Sequence, residues 1–131
     1  MIRRILTRIT LALTAALSLA FTPLAAQDFN TGLDAYNSGD YAAALREWRP
    51  LAEKGNAVAQ TELGWMYQNG LSVPQDNILA HMWYNIGAAN GRELGGRNRD
   101  SIADGMTRKA IEQAQAMGRE CMTSNYQKCG Y

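Results

Sequence analysis

Between residues 57 and 91 the apolar positions advance by threes and fours. Ala59, Leu63, Met66, Tyr67 and Gly70 share one helix face; after a break, Leu79, Ala80, Trp83, Tyr84, Gly87 and Ala88 form a second stripe. The signals that start and stop helices stand where these stripes require them. Asn56 and Asp76 are N-cap residues, whose side chains accept a free backbone N–H, and the charge of Asp76 suits the positive end of a helix. Gly70 and Gly91 end the two helices, and Leu71 to Pro74 reads as the turn, because proline cannot continue the ladder. Gly64, Ala80 and Ala88 let two helices come close, while Tyr67, Trp83 and Tyr84 fill the wider gaps.

One such helix pair leaves apolar faces open and needs neighbours. Shifting the chain by 36 residues supplies one: Asp40 falls over Asp76, Ala44 over Ala80, Trp48 over Tyr84, Ala52 over Ala88 and Gly55 over Gly91. With Leu71 to Gln75 set aside as an insertion, Tyr36 and Gly39 also fall over Tyr67 and Gly70. The pattern predicts a first helix over 28–38, with Phe29, Leu33 and Tyr36 inward, and a second over 40–54, kinked or tightened near Pro50. After Gly91 the register is lost. A further shift of 36 sets Arg99 over Leu63, and Gly95 and Gly96 weaken any helix over 92–104. Thr107 then caps a final helix whose stripe is Ile111, Ala114, Gly118 and Cys121. Strand signals are absent.

A helix-turn-helix unit with a period in the thirties is the mark of a tetratricopeptide-like solenoid. The order A-x-A-Q-x-x-L-G-x-M-Y (Ala57 to Tyr67), Gly70, V-P-Q-D (Val73 to Asp76), A-x-x-W-Y (Ala80 to Tyr84), Ala88 and Gly91 resembles the Sel-one-like repeat family, SLR. Two positions depart from it. Ser72 stands where the family usually has glycine, and Gly87 where it usually has alanine, at a helix cost of about 1 kcal/mol. The resemblance implies an all-α fold: a short right-handed solenoid with a degenerate first unit at 28–55, a full repeat at 57–91 and a capping helix within 92–131. The run from Asn98 to Gly118 is similar to the tail that follows the last unit in secreted members.

The first 26 residues read as a secretory signal peptide. Arg3, Arg4 and Arg8 precede the uncharged apolar run Ile9 to Phe21, and cleavage is expected after Ala26. An uncleaved anchor is the competing reading, but the run is short for a bilayer. Residues 27–131 then read as a single domain. They carry ten Lys and Arg against twelve Asp and Glu, a balance that points away from nucleic acid. The expected location is the periplasm or outside the cell.

Cys121 and Cys129 are the only cysteines, and an oxidising compartment favours a disulfide between them. The alternative, a metal site, has only two thiols and one distant histidine, whereas a closed zinc site takes four ligands. That histidine, His81, reads as a partly exposed residue of the helix surface. No nucleophile with a matching base, phosphate loop or cofactor motif is visible. Trp65 is the residue to single out. It lies off the core stripe on the first helix of the repeat, the side that lines the concave surface in such solenoids, with Glu62 and Gln68 on its face. Either it meets a partner there, as exposed tryptophans do at binding hot spots, or it packs beneath the N-terminal helices.

The resemblance implies a non-catalytic adaptor or scaffold whose partner is another envelope protein or a peptide. A glycan that stacks on Trp65 is also compatible. Two other readings remain open. Some cysteine-rich relatives are associated with β-lactam binding and hydrolysis, though they carry a cysteine pair in successive repeats. A solenoid with fewer than three clean repeats is also short enough for self-association to complete its core.

Overall fold

Side-chain caps mark where most of the helices begin. The computed structural model describes residues 28–131, so the expected leader, residues 1–26, lies outside the described residues. Within them run α1 (Phe29–Asn37), α2 (Tyr41–Glu53), α3 (Ala57–Asn69), α4 (Asn77–Ala89), α5 (Glu93–Ala103) and α6 (Arg108–Thr123). Asp40, Asn56 and Thr107 each accept from the backbone N–H three residues on, at 3.0, 2.9 and 3.1 Å. Asp76 accepts from both Ile78 and Leu79. Such caps contribute about 1 kcal/mol each.

The 36-residue correspondence is structural. Gly55 and Gly91 both turn into the left-handed region, at φ 92° and 100°. The next N–H then reaches back five residues, from Asn56 to Leu51 and from Arg92 to Gly87. Ala44, Ala80, Trp48 and Tyr84 are all fully buried. Helix α2 runs unbroken through Pro50. Its last turn is tightened by the Gly55 N–H bonding to Ala52, but α4, without proline, closes identically through Gly91 and Ala88. The tightening therefore belongs to the glycine ending and not to Pro50. Ser72 sits at φ 59°, the turn conformation that glycine adopts more easily.

The helices pack as neighbours in a short helical-repeat solenoid, α1 on α2, α2 on α3 and α3 on α4. Helix α4 is the hub and also carries α5 and α6. It is accordingly buried nearly all round, with Ala80 to Tyr84 buried in succession. This corrects the expected place of His81, which is only 3% exposed. A helix with partners on several sides has no free surface at that position. Burial first, then the Arg99 guanidinium, hold the imidazole below its ordinary value of 6.5, with Asp100 opposing them.

Two further expectations change. Leu33 is not inward but 38% exposed; the buried residue of α1 is Gly32, where a Cβ would run into the Trp48 indole. Trp48 closes over α1, stacked on Phe29 at 5.4 Å and donating its Nε1–H to the Phe29 carbonyl. The stretch 92–104, where Gly95 and Gly96 were expected to weaken any helix, forms α5. A Cβ on Gly95 would stand 2.7 Å from the Tyr84 carbonyl oxygen and 3.1 Å from the Ala88 nitrogen, so its absence lets α5 lie directly on the α4 backbone. Gly87 does the same between α3 and α4, since a Cβ there would meet the Thr61 hydroxyl at 2.6 Å and the Ala57 carbonyl oxygen at 3.1 Å. Close approach replaces large apolar side chains as the source of contact.

Helix α6 covers α4 through Ala114, Gly118 and Cys121, and the Cys121–Cys129 disulfide turns the C-terminal tail back. Tyr131 then stacks on Trp83 with ring centroids 6.3 Å apart, lies under the Arg49 guanidinium and donates to Glu53. Gln60, fully buried, donates to the Ala52 carbonyl and accepts from Asn90, joining the ends of α2 and α4. Among the described residues, no helix is long and apolar enough to cross a membrane.

Candidate functional site

The odd-numbered helices α1, α3 and α5 leave a groove of about 340 Å³ between them. Helix α3 supplies Thr61, Glu62 and Trp65, residues whose spacing sets them on one side of the helix. Helix α1 adds Leu33, Tyr36 and Asn37 on one side, and α5 adds Leu94 and Asn98 on the other. The outward turn of Leu33 thus has a consequence: it becomes an apolar wall.

Trp65 is 40% exposed, and its Nε1–H donates to the Tyr36 hydroxyl at 2.8 Å. Tyr36 is itself fixed against the Tyr41 and Trp48 rings, at 5.2 and 5.7 Å. The two alternatives for Trp65 are therefore both partly realised: one edge is held by the N-terminal helices while part of the ring faces solvent. An indole held this way loses little freedom on meeting a ligand.

Glu62 makes no hydrogen bond or ion pair among the described residues. Burial raises its carboxyl above the ordinary value of 4.5, and the Arg92 guanidinium pulls it partway back. Gln68 does not line the groove. Its Oε1 accepts the Tyr84 hydroxyl at 2.6 Å, which makes it a partner of α4. Burial pushes the Tyr84 hydroxyl well above its usual range, so it stays a donor. Of the three residues expected on this face, the structure brings Glu62 and Trp65 into one groove and takes Gln68 away from it. The walls from α1 and α5 escape sequence reasoning; the only hint was Leu94, an isolated apolar residue in a polar run. Among the described residues, no three His, Cys, Asp or Glu side chains gather as a metal site would require.

Among the residues that line the groove, no nucleophile is hydrogen-bonded to a base. The family model of the Sel1 repeat matches residues 57–91. This chain carries a Sel1 repeat. The matched segment is α3 and α4 with the turn between them, the same stretch that the two apolar stripes mark out. No curated protein and no solved structure matches the chain. Sel1 repeats mediate protein–protein interaction in general. Here the Sel1 repeat supplies the middle of the groove, and the helices flanking it supply the walls.

Proposed function

We propose that this Sel1-repeat chain is a non-catalytic binding module that works in the periplasm or outside the cell. It captures a segment of another protein in the groove between α1, α3 and α5. The observation that carries this reading is Trp65: an indole with its N–H satisfied by Tyr36 and its ring still open to solvent. Large aromatic side chains held in this way are the usual anchors of interfaces, often costing about 2 kcal/mol or more when removed. The exported location is supported by the leader pattern of residues 1–26 and by the Cys121–Cys129 bridge.

The test is affinity capture from the native envelope with three forms: the parent, Trp65→Ala, and Arg119→Ala on the exposed side of α6. The same protein should come down with the parent and Arg119→Ala and be lost with Trp65→Ala, while circular dichroism of all three agrees. Equal recovery by all three moves the binding face away from this groove.

A further inference from the structure

We infer that the groove recognises a cationic side chain, a lysine or arginine set beside aliphatic residues in the partner segment. This rests on the groove being the partner site, and it adds which chemistry the partner must bring.

Charge complementarity carries the inference. Of the residues lining the groove, Glu62 alone carries a formal charge. It is half-buried and without a hydrogen bond or ion pair among the described residues. The cation that acts on it, Arg92 at the α5 N-cap, pulls its pKa down but does not reach ion-pair contact. Any segment that fills the groove strips more water from this carboxylate. A neutral or acidic segment leaves that cost unmet, so it is selected against. A lysine or arginine meets it with a charge-assisted hydrogen bond.

The rest of the lining suits the same occupant. The half-exposed Trp65 ring, on the same helix face three residues on, offers a surface that attracts cations. Leu33 and Leu94 flank the groove and accommodate aliphatic neighbours or the methylene stem of the cation. Asn37 and Asn98 provide neutral polar groups that a peptide backbone can use.

The test uses the peptide acetyl-Ala-Leu-Lys-Leu-Ala-amide and its analogue with norleucine in place of lysine. The probe is the Trp65 indole N–H resonance of the protein, assigned through Trp65→Phe; the other two tryptophans, Trp48 and Trp83, are fully buried. The lysine peptide should move this resonance saturably. The norleucine peptide should bind the parent about tenfold more weakly, and Glu62→Gln should weaken the lysine peptide by a similar factor. Equal affinity for both peptides, or an unchanged lysine affinity in Glu62→Gln, overturns cation recognition and leaves the groove standing as a peptide site. If neither peptide moves the resonance, cation recognition is overturned, and capture with Trp65→Ala decides the groove separately.

Discussion

The indole of Trp65 is tied to the hydroxyl of Tyr36 by a 2.8 Å hydrogen bond, which joins the Sel1 repeat to α1. The two residues are 29 positions apart, on α3 and α1. Tyr36 is in turn packed on Trp48, so the exposed ring is positioned by the core through a single hydroxyl. Tyr36→Phe keeps the ring packing and removes only the acceptor. It should cost about 1 kcal/mol in urea unfolding, broaden the Trp65 indole resonance and weaken partner binding. A sharp, unshifted resonance in the variant would mean that the hydroxyl does not hold the ring.

Gly95 and Gly96 are adjacent in α5 and should respond to alanine with opposite signs. At Gly95 the new Cβ meets backbone of α4, which cannot yield. Gly95→Ala should therefore destabilise the fold by about 1–3 kcal/mol. At Gly96 the nearest atom is the Ala88 Cβ at 3.6 Å, an ordinary contact. Gly96→Ala should stabilise by about 0.5–1 kcal/mol through helix propensity. Chemical denaturation of both variants checks the pair; loss of stability at both positions would show that α5 has no room on either face.

That contrast explains where the sequence was readable. Alternating small and large residues at Gly64, Ala80 and Tyr84 named the repeat, because the periodicity of a helix is written in its own residues. The caps Asn56, Asp76 and Thr107 were legible for the same reason: each acts within three residues of itself. Helix α5 was not, because its stability comes from contact between backbones that only the tertiary arrangement creates. A glycine that breaks helices in isolation is what permits this one to dock. His81 was misplaced on similar grounds. Its exposure depends on α5 and α6 both choosing α4 as their support. Glu62 and Trp65 were found together by their spacing, whereas the walls of their groove come from residues distant in sequence, and Gln68 left the face for Tyr84.

His81 should titrate low. Its folded-state pKa lies below the unfolded value of 6.5, so the unfolded chain takes up the proton first as pH falls. Stability contributed by neutral His81 is therefore lost below about 6.5. It is the only histidine in the chain, so one imidazole resonance followed by NMR reports it directly. A midpoint below 6.5 is expected; a midpoint at or above it would mean that the ring is solvated.

The disulfide should matter to stability and not to the groove. Replacing Cys121 and Cys129 by serine releases the loop that brings Tyr131 onto Trp83. The expected cost is roughly 2–3 kcal/mol from the chain-entropy contribution of a loop this short. Partner binding at Trp65 should survive under conditions where the variant remains folded. Loss of binding without loss of fold would place the partner on the tail instead.

Function as a binding module requires that a partner occupy the space between α1 and α5. A photo-crosslinking amino acid at Leu33 or Leu94, the two apolar walls, should give the same cross-linked protein in the native cell. The same group at Met122, exposed on α6, should not. One shared product from both walls and none from α6 is the expected result. Products from α6 alone, or unrelated products from the two walls, would contradict the groove as the site of function.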